Sequence, residues 1–306
     1  MAEAISPTMD TEQPAADSKA RSQLNQPAPL SGMPLAIVTF ALSMAVFMMV
    51  LDSTIALPPL RSCAGGLRAE SPHGTWLIPM FGVPFAVSIP PAGWLARQYG
   101  SVKVFLVSAS LFVFCSWLCG VSHSLTMLII ARVAQGAVAG PMIPLAQSLL
   151  LQSFALEKRA MALGLFAMVV VTAPILGPIL GGYICDNYHW GWIFFINIPI
   201  GIVAIILAWQ QLKNRETPVI KTDIDKVGLI LMIIGIGALQ FFLDRGRELD
   251  WFASPEIIAL AVISVLCLSY LIIWERGEEH PIIDLSIFQD RNFTIGTLVI
   301  SLAFLL

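Results

Sequence analysis

A chain of 306 residues that is 57% hydrophobic and 12% charged, with a mean hydropathy of +0.80, is not a water-soluble domain, in which charged residues make up about 25%. A net charge of -3, with the basic residues spread over short loops, argues against nucleic acid or another polyanion as partner. The five cysteines are odd in number and no Cys/His spacing suits a metal, so they read as small apolar fillers, and no metal or other cofactor is expected.

Residues 1–29 are rich in Ala, Pro, Gln, Ser and Asp and poor in bulky apolar groups, which predicts a disordered tail. Lys19 and Arg21 precede an apolar run as in a secretory leader, but that run is too long and contains Asp52, so it reads as a first transmembrane helix. Crossing a bilayer takes about 20 mostly apolar residues. The uncharged intervals 22–51, 74–96, 104–131, 133–156, 160–185, 187–212, 227–243 and 257–274 meet that need, and a ninth begins at 292. Helices are predicted over 34–56, 74–95, 104–121, 125–151, 161–184, 190–210, 227–243, 256–274 and from 293 onward. The expected fold class is an all-α polytopic membrane protein. With the N-terminus inside, twelve of the seventeen lysines and arginines fall on the cytoplasmic side and four (Arg61, Arg68, Arg245 and Arg247) outside, which predicts a cytoplasmic N-terminus.

Two charges lie well inside the spans, Asp52 and Arg132. An arginine at membrane depth costs at least about 2.5–3.5 kcal/mol, so it normally faces protein or a wet cavity and has a partner. At about 1.5 Å per residue, Asp52 and Arg132 fall in the outer half of their helices, where they can meet. The competing reading ends the first helix at Asp52 and lets Arg132 snorkel to the surface. If paired, the two offer a proton switch, since a nearby cation favours an ionised carboxylate and burial disfavours it.

Gly136 and Gly140 stand four apart, as do Gly177 and Gly181, a spacing that lets membrane helices approach closely. Pro141, Pro144, Pro174 and Pro178 remove backbone donors and predict kinks. Trp76, Phe81, Phe85 and Met142 are candidates to line an adaptable apolar cavity, although such residues more often simply pack. No phosphate-binding loop or paired catalytic constellation is visible, and His73, His123, His189 and His280 are scattered over different loops, so an enzyme is the remote alternative.

V-L-D-S-T-I (50–55), G-T-W (74–76), G-W-L-A-R-Q-Y-G (93–100), A-R-V-A-Q-G (131–136), A-P-I-L-G-P-I-L-G-G-Y-I (173–184), W-G-W-I-F-F-I-N-I-P-I-G (190–201) and L-D-R-G-R-E-L-D-W-F (243–252) follow one another along the chain. Together they resemble the EmrB/QacA drug:proton antiporters of the major facilitator superfamily. The resemblance implies proton-driven export of hydrophobic small molecules, multidrug efflux and antibiotic resistance. It also implies a Gram-negative inner membrane and a possible periplasmic adaptor and outer-membrane channel as partners. By the same resemblance Asp52, Arg132 and Gln135 carry proton coupling. Gly136, Gly140, Pro174, Gly177, Pro178, Gly181 and Gly182 form the antiporter helix contacts, and Gly93, Arg97 and Gly100 form the cytoplasmic loop motif.

Three departures qualify the resemblance. Arg97 stands where the superfamily usually has an acid, so the charge relay of that loop does not carry over. Residues 56–73 keep the expected length but lose the apolar continuation, as a compensated reading-frame slip would leave them. Family members have about fourteen helices, two six-helix halves with an inserted pair between them. The expected division here is a tail over 1–29, a six-helix transport bundle over 30–212, an inserted pair over 213–280 and the start of a second bundle over 281–306. The alternative to a working transporter is therefore a truncated, non-functional fragment. One acid within the spans of this half favours neutral or weakly acidic hydrophobic substrates over dications.

Overall fold

The computed structural model describes residues 28–55, 79–220, 224–247, 249–278, 281–283 and 285–305. Trp76, the stretch 56–73 and most of the tail lie outside the described residues. Those residues are helical throughout their regular structure, and seven helices among them are long and apolar enough to cross a membrane. The protein is a multi-pass membrane protein.

Helix α1 (Met33–Ile55) is central, and its buried residues, among them Leu42, Ser43, Val46, Met48, Leu51 and Asp52, cover most of its circumference. A helix apolar on every side belongs in an interior. The chain enters α1 tied down, with Leu30 N–H donating to the Ser153 carbonyl at 2.9 Å and Arg215 donating to the Ala28 carbonyl at 2.5 Å.

Residues 74–78 of the expected 74–95 helix lie outside the described residues, and the rest of it is instead α2 (Pro79–Ser88) and α3 (Ala92–Tyr99). The cause is Pro90–Pro91, two successive residues without an N–H to continue the ladder. Next come α4 (Ser101–Gly120) and a span divided at Gly140–Pro141 into α5 (Leu125–Ala139) and α6 (Met142–Ser153). Helix α7 (Arg159–Asn187) is longer than expected and runs unbroken through Pro174 and Pro178. The chain continues through α8 (Trp192–Phe195), α9 (Asn197–Leu212), α10 (Lys226–Gly246), α11 (Pro255–Glu275) and α12 (Arg291–Leu305).

Helices α6, α7 and α9 pack on α1, α5 lies between α2 and α4, and α9 also leans on α4. The main core gathers Leu42, Val46, Met49, Phe105, Phe112 and Leu149 between these helices. Helices α10 and α11 form an antiparallel pair that joins the bundle through α10 against α2.

Candidate functional site

Helix α5 buries Leu128, Ala131, Arg132, Gln135, Gly136 and Ala139. Their spacing of three and four residues puts them on one stripe, so the charge of Arg132 enters the bundle on the same face as the apolar residues that hold it there. Arg132 is 2% exposed and Asp52 is 0% exposed. Neither sits at the interface or snorkels: Arg132 Nη1 donates to Asp52 Oδ2 at 2.5 Å.

The pair belongs to a closed ring of hydrogen bonds contributed by four helices. Arg132 Nη1 also donates to Gln135 Oε1 at 3.0 Å, one turn along α5. Gln135 Nε2 donates to Ser116 Oγ on α4 at 3.0 Å. Asn197, the first residue of α9, donates through Nδ2 to Ser116 Oγ at 3.0 Å and to Asp52 Oδ1 at 2.6 Å. Cys119 Sγ lies 3.6 Å from Gln135 Oε1 as a weak donor. Ser116, Cys119, Gln135 and Asn197 are all fully buried. Both carboxylate oxygens accept a hydrogen bond, Oδ2 from Arg132 and Oδ1 from Asn197. The guanidinium is further held between rings, its Cζ lying 4.5 Å from the Phe194 centroid and 5.4 Å from that of Phe81, in the range of cation–π attraction. Apolar clusters close the site: Leu128, Trp190 and Phe194 on one side, Ile55, Ile184 and Ile193 on the other.

Glycines bring the helices within reach. A Cβ on Gly136 would collide with the Phe81 carbonyl of α2, and one on Gly140 would meet Ser88 Oγ and, at 2.7 Å, the Phe85 carbonyl. A Cβ on Gly177 of α7 would strike Thr54 of α1, two residues beyond Asp52. Gly181 is buried in line with Gly177, whereas Gly182 has open space where its Cβ would be, and Pro174 and Pro178 lie on the exposed face.

The candidate cavity residues divide. Phe81 lies against the Arg132 guanidinium and stacks on Phe85 with centroids 5.8 Å apart. Met142 is fully buried in the main core and lines no open space.

On the opposite side of the bundle lies the loop motif. Gly93 is exposed with nothing near its Cβ position, and Gly100 adopts φ +95, a conformation that favours glycine. Arg97 is exposed and its carbonyl accepts from Ile220 N at 2.9 Å. The acid that the motif lacks at 97 reaches the loop from elsewhere. Glu216 accepts from Val102 N and Lys103 N, each at 2.9 Å, and Thr217 Oγ1 accepts from Ser101 N at 2.9 Å. A carboxylate thus meets the first N–H groups of α4, where the helix dipole favours negative charge. The neighbouring Arg215 guanidinium is pushed below its ordinary value by burial.

Sequence reasoning missed Ser116, Asn197 and Glu216. Asn197 had a signal, since it is the one amide in I-N-I-P-I-G within an otherwise apolar run. Ser116 had none, because serines are ordinary in membrane helices.

Residues 35–305 match the profile of the Major Facilitator Superfamily. Over 278 residues the chain is 56% identical to the multidrug export protein EmrB of Haemophilus influenzae, covering 91% of this chain and 54% of that protein. It is also 56% identical over 277 residues to the fatty acid resistance protein FarB of Neisseria gonorrhoeae, covering 90% of this chain and 55% of that one. The chain therefore spans about half the length of the curated relatives it matches. Among solved structures, the peptide transporter POT in complex with sulfate shares the fold, with a TM-score of 0.62 at 15% identity over 84% of this chain and 56% of that chain.

Proposed function

Because the chain belongs to the Major Facilitator Superfamily, we propose that it serves proton-driven export of hydrophobic small molecules, with Asp52 as the carboxylate that takes up and releases the proton. The observation that carries this reading is the buried ion pair between Asp52 and Arg132. Two opposite charges sealed in apolar surroundings are stable only together. When α5 withdraws Arg132 from α1, the carboxylate left in an apolar site takes a proton; when the guanidinium returns, it displaces that proton. Motion between helices is thereby tied to proton uptake and release. Gly136, Gly140 and Gly177, which leave no room for a side chain of their own against α2 and α1, are the contacts at which such motion slides. Gln135 holds Arg132 toward the ring. Phe81 and Phe85, adjoining the guanidinium, lie at the wall of the substrate path. Alternating access in this superfamily rocks one six-helix half against another around a midplane site, and helices α1 to α9 are one such half, with α10 and α11 the inserted pair.

The names of the relatives, multidrug export and fatty acid resistance, support neutral or weakly acidic hydrophobic substrates. The loop charge asymmetry supports an N-terminus in the cytoplasm. The resemblance to the EmrB exporters is what supports an inner membrane, with a periplasmic adaptor and an outer-membrane channel as partners.

Substrate-induced proton release from proteoliposomes tests the reading. Asp52→Asn is expected to abolish release, and near-normal release by that variant overturns Asp52 as the coupling acid. For orientation, reporter fusions after Lys103, Arg159 and Arg215 are expected to report cytoplasm, and an outward-facing reporter at Arg215 refutes the topology.

A further inference from the structure

The ring around Asp52 leaves one acceptor unused. Asn197 Oδ1 is buried and has no hydrogen-bond partner among the described residues, while its Nδ2 donates to both Asp52 Oδ1 and Ser116 Oγ. A buried orphan carbonyl is costly and uncommon. The amide orientation follows from the ring itself, because an ionised carboxylate only accepts.

The two Asp52 oxygens are unequal. Oδ2 is held by the Arg132 guanidinium, a permanent cation, whereas Oδ1 faces only the neutral Asn197 amide. When Arg132 withdraws and a proton arrives, Oδ1, whose neutral neighbour Asn197 stays in place, is the oxygen that takes it. The new O–H would then point at the Nδ2 hydrogens, donor against donor. A half-turn of the Asn197 amide about its terminal torsion, which is broad and roughly two-fold, removes the conflict. Oδ1 then occupies the place of Nδ2 and accepts from the Asp52 O–H.

Ser116 can follow that turn. Its hydroxyl now accepts from Asn197 and Gln135; after the turn it still accepts from Gln135 and donates its own hydrogen to Asn197 Oδ1. One O–H bond forms at Asp52, the hydrogen bonds to Asn197 reverse, the Nδ2 hydrogens take the unpartnered position that Oδ1 leaves, no other covalent bond changes, and deprotonation runs the sequence backward.

We infer that Asn197 is a two-state amide switch, a positioning residue that donates to the Asp52 carboxylate and, after a half-turn, accepts from its protonated form. This rests on the reading of Asp52 as the proton-carrying acid. The titratable groups nearest this corner are Arg132 on α5 and, on α4, Cys119, directed at Gln135, with Cys115 one turn before it, while Lys103 lies at the other end of α4. Helices α2, α6, α8 and α9 carry no titratable side chain. On α7, Cys185 packs beside Ile184 and Ile193, Tyr183 and Asp186 are exposed, and Arg159 lies at the far end of the helix.

Infrared difference spectra recorded on acidifying the full chain in nanodiscs test the switch without requiring transport. A protonated-carboxyl C=O band that Asp52→Asn removes is expected, and Asn197→Leu should shift it to higher frequency because the acid loses its amide acceptor. In the unmutated protein, ¹³C at the asparagine side-chain carbonyls should shift an amide band that changes together with the carboxyl band, a measurement that does not depend on how any variant folds. A carboxyl band that Asn197→Leu leaves unmoved, or an amide region insensitive to the label, overturns the switch alone. Absence of the band in the unmutated protein overturns Asp52 as the proton carrier and the switch with it.

Discussion

Helix α1 and the span that contains α7 are almost equally apolar, yet 50% of the most apolar stretch of the first is buried and 17% of the second. Hydropathy reports that a segment enters the membrane and says nothing of what it faces there. The difference lies in polar content and in side-chain size. Helix α1 carries an acid, and an acid at membrane depth needs partners on its surroundings; neighbours accordingly contribute Arg132, Asn197 and, through them, Gln135 and Ser116. Helix α7 touches the bundle along a stripe that is mostly small, Ala162, Ala173, Gly177 and Gly181 with Phe166 and Ile184, and leaves Ile175, Ile179 and Tyr183 exposed. A contact made of small residues has few interdigitated side chains to disengage, which is the ground for expecting α7 to shift along α1 more readily than α1 shifts in the bundle.

The sharpest way to break that contrast is to unpair the charge. Arg132→Ala leaves a buried carboxylate without its cation, and losing one member of a buried pair costs about 3–5 kcal/mol. Asp52→Asn strands the arginine at similar cost. The double variant is expected to be little worse than either single one, because effects of residues in contact do not add. Unfolding free energies in mixed micelles measure all three, and strict additivity of the two losses would mean that α1 is pinned by its apolar packing alone.

On α7 the corresponding change is Gly177→Leu. Its side chain would enter the space held by Thr54 and Ile55, and such overpacking costs about 1–3 kcal/mol. The protein should remain in the membrane while export falls. Ile175→Ala and Ile179→Ala, on the exposed face of the same helix, should stay within about 0.5 kcal/mol of the parent in the same micelle assay.

A smaller effect belongs to the inner loop. Glu216→Ala removes the carboxylate that caps α4, and losing a helix cap costs about 1 kcal/mol. Amide hydrogen exchange should rise at Val102 and Lys103 and remain unchanged at Ser116. Equal rises at both ends would mean that α4 opens as one unit and that the cap holds no local structure.

What was legible in the chain follows the size of the energetic signal. Asp52 and Arg132 stand out because charge in an apolar run is expensive, and the helices themselves stand out because length and apolarity are what a bilayer demands. Ser116 did not, and Asn197 stood out only faintly as one amide in an apolar run, since a neutral polar group costs little in a membrane helix and one hydrogen bond repays it. Glu216 is hidden for another reason: it lies in a stretch already rich in charge, Lys213 to Lys226, where only the folded path brings its carboxylate to residues 102 and 103. The break at Pro90–Pro91 is readable from the prolines and is hidden when 74–96 is taken as one uncharged interval.

The smallest expected effect tests the comparison within a single motif. Gly181 and Gly182 are adjacent on α7, but Gly181 is buried and Gly182 has nothing within 4 Å of the point where a Cβ would stand. Removing a helical glycine in open space relieves the entropy it loses on folding, which favours alanine by about 0.5–1 kcal/mol. Gly182→Ala is therefore expected to be neutral to slightly stabilising, with export kept, while Gly177→Ala, whose methyl would press on Thr54, should destabilise. Opposite signs for two glycines five residues apart would locate the sliding contact on one stripe of α7. Equal losses in thermal denaturation and efflux would instead mean that the outer face of α7 is covered as closely as the inner one, and the contrast with α1 would fail.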